Sequence, residues 1–304
     1  MPMRQNKRFN MDNTTVGFRF FTLFNYCFLA VLSLSMVAPL IYVLTNSLRP
    51  ELEIMTHGYT LVPDRLSSIT FDAYRILLQN GSALVRGYGV TVFITVIGTL
   101  IAMVVSTMFA YAVAHREVPL SKGILVFAFI GGYIPSGLIA WYLQMRNLGL
   151  LNTYWAMVLP DVLVLYNVLL MKTYFQEGTF IALEESAKLD GANDMQILTR
   201  VVLPVSKPIL ATIGLFYAAA FWNSWYTAAL CVADTKKYPV QLVLNQIITS
   251  QQFQAMLSRF NPRTSSIYAM QMAAIILVTI PIVLAYPFVQ KYFVKGIMVG
   301  VIKE

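Results

Sequence analysis

Charged residues are scarce in this chain. Lysine, arginine, aspartate and glutamate make up 12% of its 304 residues, against about a quarter in a soluble domain. Cysteine and histidine are scarcer still, at two each. Cys27 and Cys231 fall in different apolar runs, near ends expected at opposite faces, so no disulfide between them is expected. There is no CxxC pair and no His/Cys cluster, so no metal site is expected. His57 and His115 lie in separate polar segments, and neither HExxH nor GxSxG occurs. A phosphate-binding Gly-x-x-x-x-Gly-Lys-Ser/Thr loop is also missing. These absences set aside an intramembrane hydrolase and a self-contained ATPase, and no cofactor is expected on this chain.

What the chain has in excess is apolar residues, 58% of the total, with a mean hydropathy of +0.64. A helix needs about 20 apolar residues to cross the hydrocarbon core. Six runs meet or nearly meet that length, at 20–48, 87–114, 123–145, 153–172, 208–233 and 264–290. The first is too long for the apolar core of a signal peptide. It reads as a span whose basic flank, residues 1–19 with Arg4, Lys7, Arg8 and Arg19, stays inside. An even number of spans puts both termini on that side. The expectation is an all-α polytopic membrane protein with six transmembrane helices in one domain, 20–304. Residues 49–86 read as a long external loop with a short helix around 71–78. Residues 238–258 are also uncharged, but Gln241, Asn245, Gln246, Gln251, Gln252 and Gln254 would be costly in lipid, so the segment reads as an external or interfacial helix. The net charge of +8 fits orientation toward an anionic inner leaflet, with no nucleic-acid partner expected.

One polar stretch between the runs is the most informative. Residues 183–208 read LEESAKLDGANDMQILTRVVLPVSKP. Leu183 to Leu189 suits a short helix, with Leu183 and Ala187 one turn apart. Asp190-Gly191 suits its end, because glycine takes the left-handed conformation a helix terminus often needs. Asn193 can cap a second helix, with Gln196 completing a capping box, and Pro204 is expected to end it. The whole polar connection, 177–207, is expected at the inner water face.

This stretch resembles the "EAA" loop of ABC importer permeases, whose pattern is Glu-Ala-Ala, three residues, Gly, nine residues, Ile, any residue, Leu-Pro. Here it is Glu185-Ser186-Ala187, Gly191 and Val201-Val202-Leu203-Pro204, with both spacings kept. Residues 134–160 and 221–230 resemble sugar permeases of the MalG type, and residues 286–304 carry the likeness to the LplC/YtcP subgroup. The resemblance implies a type I ABC importer permease fold in a bacterial cell membrane. It also implies transport of oligosaccharides or polysaccharide fragments, with the loop as a coupling helix seated on an ATPase. Implied partners are a second, MalF-like permease, two ABC ATPase subunits holding ATP and Mg, and an extracytoplasmic solute-binding protein, a lipoprotein if the source is Gram-positive. The coupling set implied is Leu183, Glu184, Glu185, Ala187, Asp190 and Gly191. Lys188 and Arg200 are candidates for further ion pairs, or simply a solvated face.

Sugars are held by aromatic faces and polar groups. The candidates are Tyr133, Trp141 and Tyr142 in the third run, Tyr166 and Asn167 in the fourth, and Trp222, Asn223, Trp225 and Tyr226 in the fifth. The competing role for such rings is anchoring at the membrane interface, and Trp155 is read that way. Asn223 is expected to face a cavity or a neighbouring helix. Asp161, the single acid within the six runs, is a further path candidate. An ion-coupled secondary transporter is the alternative, but such proteins gather several ionisable groups at midplane, and one acid does not supply them.

Overall fold

The computed structural model describes residues 16–61, 69–115, 117–134, 136–249 and 267–301, and among them all regular structure is helical. In chain order the helices are α1 (Val16–Ser47), α2 (Glu51–His57), α3 (Asp72–Leu77), α4 (Ala83–Ala114), α5 (Ser121–Tyr133) and α6 (Leu138–Asn147). Next come α7 (Trp155–Val158, continued by a 3-10 turn, Leu159–Asp161), α8 (Leu165–Phe175), α9 (Gly178–Leu189) and α10 (Asp194–Val205, with a π turn at Ile197–Val202). The last four are α11 (Lys207–Trp222), α12 (Tyr226–Cys231), α13 (Val240–Thr249) and α14 (Ile267–Val301).

Among the described residues, α1, α4 and α14 are each long and apolar enough to cross a bilayer. Three bent pairs pass the same test together, which gives up to six crossings by length and composition. The run at 123–145, expected to be one span, holds two helices, α5 and α6, inclined at 111° and long and apolar enough to cross as a pair. Gly137, at the start of α6, takes φ +81°, a left-handed conformation that glycine tolerates and that does not continue a helix; Pro135 lies outside the described residues. In the fourth run Pro160 sits in the 3-10 turn, and α7 meets α8 at 44°. The fifth run also stops early: α11 ends at Trp222 and a separate short helix, α12, follows. Pro204, expected to end α10, lies inside its last turn, directly after the π turn. The wider i to i+5 ring absorbs local mismatch of this kind, and α10 runs on to Val205 before α11 departs at 85°.

Helix α4 is the axis of the fold. Its 32 residues reach about 48 Å at 1.5 Å each, and no proline interrupts them, whereas α1 holds Pro39 and α14 holds Pro281 and Pro287. Its buried residues recur every three or four positions, and many are small: Gly87, Thr91, Gly98, Ala102, Ser106 and Ala110. Apolar helices gain nothing from hiding oil in oil, so close packing across small residues holds them. A Cβ at Gly98 would fall 2.9 Å from the Phe221 ring on α11, and one at Gly87 would fall 3.1 Å from the Val240 backbone on α13. Thr91 Oγ1 accepts the Val240 N–H at 2.8 Å. The opposite face of α4 leaves Val92, Phe93, Val96, Leu100, Val104 and Met108 exposed.

Separate apolar clusters form at the two ends of α4. At its start, Leu84 joins Ile54 of α2, Ala73 and Leu77 of α3, Val243 of α13 and Met270 of α14. The segment after α1 is tied by polar contacts: Asn46 Nδ2 donates to the Tyr42 and Thr60 carbonyls, and buried Arg49 donates to the Gly58 carbonyl at 2.8 Å. α13 buries Val240, Leu242, Val243 and Ile247; the rest of the expected amide-rich helix, 250–258, lies outside the described residues. At the other end of α4, Ala110, Tyr111 and Ala114 share a core with α8, α9, α10 and α11.

Candidate functional site

The 177–207 loop is assembled mostly from its own backbone. α9 ends at Leu189 with Asp190 as its C-cap, and Gly191 follows at φ +81°. The Gly191 N–H returns to the Lys188 carbonyl at 3.0 Å and the Ala192 N–H to the Ala187 carbonyl at 3.0 Å. That pair of bonds satisfies the last carbonyls of α9 as a Schellman turn does. Both halves of the capping box then form: Asn193 Oδ1 accepts the Gln196 N–H at 2.9 Å, and Gln196 Oε1 accepts the Asn193 N–H at 3.0 Å. The turn chemistry read from the residues is what the structure contains.

The loop has an inner and an outer side. Phe180, Ile197, Leu198 and Val202 are buried, and Ala187 packs against them. Outward, Leu183, Glu185, Asp190, Gly191 and Met195 are exposed, and Leu189 is 89% exposed. Leu183 and Ala187, expected on one face, therefore differ in burial. The larger departure is Glu184, which the resemblance places in the coupling set but which is only 6% exposed. It lies one turn from Phe180 and from Ala187, so helix phase turns it inward. There its Oε2 stands 2.5 Å from His115 Nε2, just past the end of α4. Lys188 pairs with Glu117 at 3.3 Å on the surface, which leaves Arg200 as the exposed basic residue of α10. Beside these contacts lies a cavity of about 450 Å³ bordered by Tyr111, His115, Glu117, Lys188 and Asp194. Nothing in the sequence marks His115 as functional; a lone histidine in a polar turn carries no signal until α9 is folded against it.

The aromatic candidates fall in separate places. Tyr133 is exposed at the end of α5 and stacks on Phe129 at 5.5 Å. Trp141 packs against Met145, Ala156 and Cys231, while Tyr142 beside it is exposed. Asp161 is half-buried in the turn after α7; Tyr166 is exposed and Asn167 is buried on α8. Trp222, Asn223, Trp225 and Tyr226 surround the break between α11 and α12. Asn223 Nδ2 donates to the Ala219 carbonyl, and its Oδ1 accepts from Gln241 of α13 at 3.3 Å. The Trp222 ring lies 6.5 Å from that of Tyr88, and its Nε1 is buried without a partner among the described residues. Trp225 and Tyr226 meet edge to face at 5.8 Å, both exposed.

Two further residues, unmarked in the sequence, hold the break between α7 and α8. The Val164 N–H donates to the Tyr217 hydroxyl at 3.1 Å. Tyr217 and Ser106 hydroxyls are 2.6 Å apart, and Ser106 donates to the Val162 carbonyl at 3.2 Å. Because Ser106 gives its hydrogen to the carbonyl, Tyr217 donates to Ser106, and each hydroxyl is used in both directions. Non-helical backbone at membrane depth survives only with such internal partners.

A family described as the binding-protein-dependent transport system inner membrane component matches residues 104–299. The polygalacturonan/rhamnogalacturonan transport system permease protein YtcP of Bacillus subtilis (strain 168) is 36% identical over 290 residues, covering 94% of this chain and 99% of its own length. Protein LplC of the same organism is 35% identical over 303 residues, covering 96% and 98%. A chain in the crystal structure of a bacterial ABC transporter involved in the import of the acidic polysaccharide alginate matches with a TM-score of 0.82 and 29% identity, over 92% of this chain and 98% of that one.

Proposed function

The chain belongs to the family of binding-protein-dependent transport system inner membrane components, and from that membership we propose that it imports oligosaccharides or polysaccharide fragments, moved through its 177–207 loop. It is a membrane permease subunit of an ABC importer, not itself an enzyme. Such a subunit works with an ATPase, a second permease and a solute-binding protein. The family decides against the ion-coupled alternative.

The finer reading has six spans with both termini cytoplasmic and a MalF-like subunit as the other half of the path. Two ATPases hold ATP and Mg, and in a Gram-positive source the binding protein is a lipoprotein. The outer side of the loop is the lever: Leu183, Glu185, Asp190 and Gly191 meet the ATPase, with Leu189 as its apolar tip. The observation that carries this reading is a loop whose Gly191 turn and Asn193 cap are closed by its own hydrogen bonds while Leu183, Leu189 (89% exposed) and Met195 all stay exposed along it, which suits a surface that a partner covers. For the path, Trp222, Asn223, Trp225 and Tyr226 are the favoured sugar contacts, with Tyr133, Tyr142, Tyr166, Asn167 and Asp161 secondary; Trp141 serves packing. The relatives named for polygalacturonan and for alginate handle acidic glycans, so uronate-bearing oligosaccharides are the substrate class to try first.

The test is uptake of labelled trigalacturonate, beside a neutral trisaccharide, into vesicles holding the assembled complex and its binding protein. Glu185→Lys and Gly191→Pro are expected to abolish ATP-driven uptake while the permease remains in the membrane. Unchanged uptake by both variants refutes the lever. Uptake by the chain alone on a sodium gradient refutes the importer.

A further inference from the structure

We propose that His115 is a positioning residue that, through Glu184, joins the loop to α4, so that a displacement of the lever travels along α4 to α13. This deepens the importer reading and rests on it.

Chain connectivity alone leads force from the loop into jointed elements. Through α10 it reaches α11 across an 85° bend, and through α9 it reaches α8, whose own far end is broken from α7 at 44°. α4 is the unbroken member, yet it has no covalent link to the loop within 60 residues of sequence. Whatever moves it must act through contacts, and His115 offers a directional one between α4 and the loop itself. Its Nδ1 lies 2.8 Å from the Tyr111 carbonyl of α4's last turn, and its Nε2 lies 2.5 Å from Glu184 Oε2 of α9. A carbonyl and a carboxylate only accept, so both bonds are made when both ring nitrogens carry hydrogen. The edge of Tyr111 against the ring, 4.4 Å between centroids, fixes its plane. Glu184 Oε1 is buried without a partner among the described residues, so loss of His115 leaves a buried carboxylate uncompensated. Gln176 adds a bond to the Ala114 carbonyl at 2.8 Å. At the far end of α4, Gly87 and Thr91 grip the first residue of α13, and the next residue, Gln241, bonds to Asn223. The transmitted displacement thus arrives beside the favoured path residues.

The experiment uses the full complex with its binding protein in proteoliposomes, with trigalacturonate uptake and ATP hydrolysis measured on the same vesicles. His115→Asn, which can satisfy one acceptor but not both, is expected to hydrolyse ATP at near the wild-type rate while uptake per ATP falls about tenfold, the scale of coupling losses between sites. His115→Arg, with donors for both acceptors, is expected to restore most of that ratio. Glu184→Gln keeps the shape without the charge and is expected to lower the ratio too; it decides the matter if His115→Asn does not assemble. A wild-type ratio in both His115→Asn and Glu184→Gln overturns the proposal. So does a proportional loss of uptake and hydrolysis that His115→Arg leaves uncorrected. Wild-type vesicles without ATP-driven uptake overturn the importer reading itself, and the proposal with it.

Discussion

The 177–207 loop and the breaks within the later spans are both places where an apolar chain turns polar, but they are held in opposite ways. In the loop, every bond that shapes the Gly191 turn and the Asn193 cap comes from within five residues. At the α7–α8 break the partners come from Ser106 and Tyr217, 56 and 53 residues away from the groups they bond. At the α11–α12 break Asn223 takes its bond from Gln241. The turn of the loop is therefore set by its own residues, whereas the geometry of the breaks depends on where neighbouring helices stand. A permease needs both kinds: something stiff to push on and something that yields.

Four substitutions sharpen or break that contrast. The largest effect is expected from Tyr217→Phe, which strands the Val164 N–H and removes the donor to Ser106. An unmet buried polar group costs about 1–3 kcal/mol, so the thermal midpoint of the purified permease should fall clearly. An unchanged midpoint would mean that the break is not held from outside. Gly191→Ala places a side chain at φ +81°, where a left-handed residue costs about 1–2 kcal/mol. No heavy atom crowds the site, so the loss should be conformational and read out as faster amide exchange at Gly191's neighbours, not as global unfolding. Asn193→Ala removes the cap for about 1 kcal/mol, with exchange at Gln196 as the measure. Lys188→Ala breaks a pair whose Glu117 side chain is 83% exposed and should change stability by less than about 1 kcal/mol. A larger drop there would show that this surface pair, as well as the buried Glu184–His115 contact, holds the loop to α4.

The same contrast explains what the residues alone reveal. Gly191, the Asn193–Gln196 box and the apolar runs are local grammar, legible without a fold. Prolines in the runs are ambiguous: Pro39, Pro281 and Pro287 sit inside continuous helices, while Pro160 lies at a break. At the Pro160 break the Val162 carbonyl and Val164 N–H are met by Ser106 and Tyr217 from distant helices, and no local window holds that information. Glu184 and Glu185 look alike as letters; helix phase separates them, and only the position of His115 shows which one turns inward. Ser106 and Tyr217 carry no motif at all, because their role exists only where three segments converge.

The tight seam along α4 has a practical consequence for anyone engineering a hardier version of this permease. Replacing helix glycines with alanine is a standard stabilising move, and Gly89 on this helix has open space for the added methyl. At Gly98 the methyl would drive into an aromatic ring, and at Gly87 it would press on a neighbouring backbone. A glycine-to-alanine library over this helix should therefore split by position, with gains confined to the rim facing away from Phe221 and Val240.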